Sequence, residues 1–510
     1  MEAQINFLEV IERTGKEKPE QVLLTVNEES VTYSNFYNEI QIRAYGLKEL
    51  GIKEEDKVAL IVPNCVEWYR FFWASVMIGA YPAPIDPQSG LWELQRLLKL
   101  MEVKVCVIAT AYRGNLIAEH LKTLLKECES IEKVIIIDEL ETQHNQLISL
   151  NEFLNHKVVH DIKVNRQSDI LSFACTSGST GNPKILEVPF KGFYKAMVDM
   201  SVYLGITSKD KMLIGMPLYH QGGFGMGLQT VVQGGMISYQ IQFDPESFLD
   251  YIEAHKITII QLTTTLAKIL ISTPRFFERD LSSLRICYFA GEVLTQEIAA
   301  CFIKKIGVRV INVIGSSETG TMVVWDSTKH QDVSPNVFRP LTFTKVKIMN
   351  DKGEEVQRGE IGELMIYTDA IIKEYYKNRQ ENALRFEIID GVKWFKTGDL
   401  VLKHQEDQIE FIGRCKRIIK RGANLVYPEE VESFLLSHPL IEAIAIVKGE
   451  HSLIGEEIIA YIQTKDQLKI TRGDLLKFSK GKFSAYKLPD KVIQVAEIPH
   501  DIGKVQYKYI

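Results

Sequence analysis

The 510-residue sequence has no basic surplus: 60 Lys and Arg stand against 66 Asp and Glu, a formal charge of −6. Binding a nucleic-acid backbone requires an excess of cations to displace its counterions, so nucleic acid is not an expected partner. No uninterrupted apolar run is long enough for a membrane. The stretch from Val58 to Ile85 comes nearest, but Glu67 and Arg70 break it, as do Pro63, Pro82 and Pro84, so it reads as buried core and no stable membrane insertion is expected. At the start, MEAQINFLEVIER carries acidic residues where an export signal has a basic segment and an apolar run, so export is not expected either. The seven cysteines are odd in number, dispersed and without CxxC spacing. That argues against a disulfide framework or structural zinc and for a reduced, cytoplasmic setting.

What is present is the composition of an ordinary globular chain, 45% hydrophobic, 25% charged and 9% aromatic, long enough for two or more domains. Short β-branched runs, among them Lys57 to Val62, Val103 to Ala109, Val134 to Asp138, Ile170 to Cys175, Ile257 to Gln261 and Val308 to Val313, recur between helical patterns. This alternation predicts α/β layers with mainly parallel sheets. In Leu91 to Met101, Leu94, Leu97, Leu98 and Met101 fall on one helical face suited to packing on such a sheet. Beyond about Pro340 the segments shorten and alternate, with turns at Asp351-Lys352-Gly353 and Asp390-Gly391, which predicts a small β subdomain. After Gly413 strand and helix patterns return, placing a domain boundary near Gly413 to Lys416 and a compact α+β domain beyond it.

The segment richest in chemistry is Thr176-Ser177-Gly178-Ser179-Thr180-Gly181-Asn182-Pro183-Lys184, directly after the apolar run Ile170 to Cys175. Its glycines permit a tight backbone, its hydroxyls and amides suit phosphate oxygens, and Lys184 supplies a cation. It is not the GxxxxGK[ST] loop, because Asn-Pro precedes the lysine. Nor is GGFGMG, from Gly222 to Gly227, the GxGxxG dinucleotide fingerprint.

The run TSGSTGNPK resembles the phosphate-binding signature of the adenylate-forming (AMP-binding) superfamily, which includes acyl- and aryl-CoA synthetases, peptide-synthetase adenylation domains and luciferase. Further segments resemble that family's motifs in the family's order over almost the whole chain. The resemblance implies an N-terminal domain of residues 1–412, with two α/β sheets and a small β-barrel, and a small mobile α+β domain of residues 413–510.

Residue by residue, it implies that Thr176, Ser177, Gly178, Ser179, Thr180, Gly181 and Lys184 contact nucleotide phosphates. Met216-Pro217-Leu218-Tyr219-His220 is similar to the segment whose histidine gates the acyl site, which gives that role to His220, beside glycines that allow close ligand approach. Gly291 and Glu292, in FAGEVL, resemble the loop against adenine. Ile314, Gly315, Ser316 and Ser317 resemble the second nucleotide loop, with Ile314 where the family usually has a stacking Tyr; an apolar side chain still covers a ring face. Glu318, with Thr176, is implied as the Mg2+ ligand, Asp399 as the acceptor for ribose hydroxyls, and Arg414 as a further nucleotide contact. Lys416 is the implied hinge residue. Lys504, in PHDIGK six residues before the last, is the implied catalytic lysine, with Tyr507 where the family has Arg.

The implied reaction joins a carboxylic acid to ATP, releasing pyrophosphate, and then to the thiol of coenzyme A. The alternative acceptor is the phosphopantetheine of a carrier protein acting in trans; a different class altogether is a nucleotide-binding protein with degenerate catalysis. Relatives that activate α-amino acids usually place an Asp just after the gating segment, and none follows His220 here, which favours a non-amino acid; against that, the run AGEVLT, Ala290 to Thr295, is closer to the peptide-synthetase and D-alanine-ligase style.

Overall fold

The computed structural model describes residues 6–139, 144–155, 162, 168–176, 183–292, 294–330, 334–405, 407–414, 419–421, 424–426, 428–451, 455–465, 468–498, 500–501 and 504–505; for 413, 414, 425, 429, 433, 500, 501, 504 and 505 it describes the backbone alone. The first layer is a five-stranded parallel sheet in the order Tyr81–Pro84, Lys57–Ile61, Val105–Ile108, Lys133–Ile136, Leu147–Ser149. Every residue of Val105–Ile108 is buried, as befits a strand covered on both faces. The helix Leu91–Met101 buries Leu94, Leu97, Leu98 and Met101 as its spacing predicts. The apolar stretch after Val58 supplies the helix Val66–Met77, whose Trp68, Phe71, Phe72 and Trp73 are fully buried. It is core, and among the described residues no helix is long and apolar enough to cross a membrane.

The second layer belongs to a 14-stranded sheet. Its parallel part runs Val22–Val26, Met236–Tyr239, Lys211–Ile214, Ile259–Leu262, Ile286–Ala290, Arg309–Ser316. It then continues antiparallel through Gly320–Asp326, Val337–Pro340, Ile409–Arg414, Val392–Lys403, Ile361–Tyr367 and Lys345–Met349. The expected small β subdomain is therefore an open extension of this sheet, and no strand pair closes a barrel among the described residues. The short strand Val337–Pro340 is the reason: Val323 and Val324 pair with one half of it, Glu410 and Ile409 with the other, so it ties the subdomain to the large sheet. The expected turn at Asp390-Gly391 forms with φ of 52° and 76°, the two left-handed residues of a tight hairpin.

Ile409–Arg414 lies in the large sheet, whereas Ile419–Arg421 lies in a separate five-stranded sheet with Asn424–Val426, Gly455–Thr464, Ile441–His451 and Lys491–Gln494. The helices Pro428–Leu435 and Arg472–Ser479 complete this smaller α+β unit. Arg414 and Ile419 thus belong to different sheets, and the expected hinge residue Lys416 lies outside the described residues.

Candidate active site

A cavity of about 300 Å³ opens where the two layers and the smaller unit meet. It has three parts. Thr176, Lys184, Gly315, Ser316, Ser317, Glu318, Arg385 and Thr397 form a polar end; Phe193, Met197, Gly222, Gly225 and Met226 form an apolar groove between two helices; Asp86, Trp92, Glu93, Glu430, Tyr486 and Lys487 form a charged seam against the smaller unit.

At the polar end, the strand Ile170–Thr176 pairs antiparallel with Lys184–Pro189, with Thr176 opposite Lys184. The Gly-rich segment thus connects two paired strands, whereas the phosphate loop of P-loop proteins precedes a helix. Ser177, Gly178, Ser179, Thr180 and Gly181 lie outside the described residues. Lys184 is buried and paired with Glu381, and burial lowers its pKa while Glu381 opposes that. Glu381 also accepts from Arg385 Nε at 3.0 Å. Glu318 accepts from the Tyr375 phenol at 3.1 Å through Oε1. Gly315 is forced by packing, since a Cβ there would lie 2.6 Å from the Gly320 carbonyl oxygen.

Gly291 lines the cavity, but the Glu292 carboxylate turns aside to accept from the Thr265 amide at 2.7 Å. Ile314 is partly buried against the apolar core of the large sheet and is not among the lining residues. Asp399 is 2% exposed and its backbone pairs with that of Arg414. The Asp399 side chain is not among the lining groups, whereas the neighbouring Thr397 is. Of Lys504 the structure describes the backbone, paired with Asp501.

His220 is the N-cap of the helix Gln221–Val231 and lines the cavity. Burial, with Lys487 nearby, pushes its pKa down to about 4, so the imidazole is neutral near pH 7. The glycines after it divide their work in a way the sequence does not reveal. Gly222 and Gly225 face the cavity; a Cβ at Gly223 would meet the Pro217 carbonyl oxygen at 2.1 Å and one at Gly227 the Tyr239 hydroxyl at 2.5 Å. Those two serve close packing of the helix.

The charged seam was not singled out from the sequence. Lys487 Nζ donates to Glu93 at 2.7 Å and Glu430 at 3.0 Å, all three side chains being at most 9% exposed. Burial disfavours the ammonium, but Glu430 and Glu93 hold its pKa well above the ordinary lysine value. Ser484 donates to Glu93 at 2.8 Å. Beside them the backbone amides of Leu91 and Trp92, at a helix start, donate to the carbonyls of Gly481 and Lys482 at 2.7 and 3.2 Å, satisfying groups a helix leaves unpaired. Trp92 packs on Phe434 and Phe483. The signal was faint: a Glu three residues into a helix reads as an ordinary cap.

Asp86, also in this seam, has its pKa raised to about 6, chiefly by burial. A carboxyl whose folded pKa lies above its unfolded value favours folding fully below the unfolded value and loses that contribution as pH rises through the folded one. Asp86→Asn is therefore expected to gain stability on the wild type between pH 4 and pH 7, by about 2 kcal/mol. Urea unfolding of both proteins across that range reads the difference.

The chain belongs to the AMP-binding enzyme family: that family matches residues 11–376, and the AMP-binding enzyme C-terminal domain matches residues 430–502. It is an AMP-forming ligase of acyl-CoA synthetase type. It is 27% identical to the medium-chain acyl-CoA ligase ACSF2, mitochondrial, of Danio rerio, over 93% of this chain and 82% of that protein. In structure it resembles the amide bond synthetase McbA from Marinactinospora thermotolerans, with a TM-score of 0.86 at 22% identity over 99% of both chains. It also resembles o-succinylbenzoate CoA synthetase (MenE) from Bacillus subtilis. A double mutant of MenE bound with the product analogue OSB-NCoA gives a TM-score of 0.83 at 23% identity, over 98% of this chain and 97% of that one. With ATP and magnesium ion bound, MenE gives 0.70 at 23% identity, over 97% and 98%.

Proposed function

We propose that the chain is a cytosolic carboxylic acid:coenzyme A ligase that works through an acyl adenylate. The observation that carries this reading is the single cavity joining a polar end with cations and hydroxyls, an apolar groove, and a seam closed by the smaller unit.

In the first half-reaction a carboxylate oxygen of the acid bonds to the α-phosphorus of ATP as the bond to pyrophosphate breaks. Two anions must be brought together and the charge on phosphorus oxygens stabilised, which is work for placed cations and donors rather than a protein nucleophile. Thr176, Ser177, Gly178, Ser179, Thr180, Gly181 and Lys184 would take the phosphates, Gly291 and the Gly315–Ser317 segment the base, Asp399 and Arg414 the ribose side, and Lys504 the oxygens of acid and phosphate. Glu318 with Thr176 would hold Mg2+. They fit it: one carboxylate and one hydroxyl are hard oxygen donors that leave positions for phosphate oxygens and water. When bound, the ion neutralises phosphate charge. Lys184 is held in place by Glu381, and Glu318 by Tyr375.

In the second half-reaction the thiolate sulfur bonds to the acyl carbon and the carbon–oxygen bond to AMP breaks. We read the present domain arrangement as the one suited to this step. Support comes from Tyr486, Lys487 and Glu430 lining the cavity, and from the higher TM-score against the MenE form bound to a coenzyme A analogue than against the form with ATP and magnesium ion, 0.83 against 0.70. Rotation about the hinge near Lys416 would bring Lys504 in for adenylation and withdraw it for transfer.

The test is product analysis with ATP, Mg2+, a panel of acids and either coenzyme A or a phosphopantetheinylated carrier protein. One AMP and one acyl-coenzyme A per acid consumed is the expected result. Product formed on the carrier alone assigns the enzyme to the carrier pathway instead, and ATP binding without turnover of any acid makes it a degenerate nucleotide-binding protein.

A further inference from the structure

The apolar groove has a polar floor. Gly222, Gly225, Met226 and Gln229 line the cavity from one face of the helix Gln221–Val231, and at 1.5 Å per residue Gln229 lies about 10 Å further along the axis than Gly222. The Gln229 side chain is 1% exposed. Its amide donates to the Tyr288 phenol, which lies 3.3 Å from the Thr321 hydroxyl, itself a lining group. The Gln229 carbonyl oxygen, Oε1, has no hydrogen-bond partner among the described residues. Below it, Gln261 stands beside Tyr288 in the sheet register, 0% exposed, with neither side-chain polar atom partnered among the described residues.

A helix packed on a sheet here calls for Leu or Met, as at Leu228 and Met226. A buried amide with an unmet acceptor costs stability unless a ligand meets it. A purely aliphatic acid would leave that acceptor unsatisfied in every complex, whereas one with a donor at its far end would satisfy it on binding. Sites built to hydrogen-bond a substrate group discriminate strongly against the analogue lacking it.

We propose that Gln229 is a specificity-determining residue and that the enzyme's acid carries a hydrogen-bond donor, a hydroxyl or an N–H, at the end remote from its carboxylate. This rests on the acid-adenylating reading above. It identifies a substrate class of ω-hydroxy or hydroxyaryl acids in preference to unsubstituted fatty or aryl acids.

The experiment measures acid-dependent exchange of labelled pyrophosphate into ATP by the full-length enzyme with two matched sets: 8-hydroxyoctanoate, 8-methoxyoctanoate and octanoate, and 4-hydroxycinnamate, 4-methoxycinnamate and cinnamate. In at least one set the hydroxy acid is expected to exceed both others in kcat/KM by about tenfold or more, the worth of one buried hydrogen bond. A methyl ether accepts but does not donate, so the methoxy acid should rank with the plain one. In Gln229→Leu the hydroxy acid should fall about tenfold and the plain acid should rise, reversing the order. Plain or methoxy acids that match or exceed the hydroxy acids in both sets of the wild type overturn the assignment of Gln229 while leaving adenylation standing. Absence of exchange with every acid overturns the adenylating reading and this inference with it. The wild-type ranking decides the matter even if the variant does not fold.

Discussion

Lys504→Ala is expected to lower the rate of adenylate formation by about a thousandfold, the cost of removing a placed electrostatic group where charge develops in the transition state. The same variant should transfer a supplied acyl adenylate to coenzyme A at nearly the wild-type rate, because that step is assigned to an arrangement in which Lys504 has withdrawn. The two half-reactions are measured separately, the first as single-turnover pyrophosphate release and the second as thioester formation from synthetic adenylate. Equal loss in both by a folded variant contradicts domain alternation.

Gly90→Ala should do the reverse. A methyl group at Gly90 would lie 2.2 Å from the Lys482 carbonyl carbon and 2.4 Å from the Phe483 amide nitrogen, backbone atoms that yield only if the smaller unit backs away from its seat. The hydrogen bonds from Leu91 and Trp92 to Gly481 and Lys482 would go with it, as would the contact of Lys487 with Glu93. Thioester formation from supplied adenylate is expected to fall about a hundredfold, as displacement of a reacting arrangement by about 1 Å can do. Adenylate formation, which we assign to the other arrangement, should be spared. Lys487→Met is the companion variant: it leaves the buried Glu93 and Glu430 without their cation, a cost of about 3–5 kcal/mol in this arrangement, and should show the same selectivity. Loss of adenylation with transfer intact, in either variant, would reverse the assignment of this domain arrangement.

Local periodicity and turn chemistry were legible wherever neighbours in sequence decide the structure. Leu91–Met101 is a helix with the expected buried face, Asp390-Gly391 a tight hairpin turn, and the stretch after Val58 a buried core. Features settled by distant parts of the chain were not legible. Gly223 and Gly227 are glycines because Pro217 and Tyr239 crowd them. The β subdomain stays open because Val337–Pro340 bridges two sets of strands. The seam depends on Glu93 and Lys487, 394 residues apart, which no spacing rule connects. Within the site, motif resemblance pointed to Glu318, Lys184, His220 and Gly291, all of which line one cavity. It gave no hint that Glu381 and Tyr375 hold two of these in place, nor that Gln229 lies at the groove's floor.

The central claim is that the acid is activated on ATP before any thiol is involved. Acid-dependent exchange of labelled pyrophosphate into ATP, run with Mg2+ and without coenzyme A or carrier protein, tests it most directly. Label entering ATP only when an acid is present is the result this account requires. Exchange that occurs without acid, or appears only once a thiol is added, would contradict it.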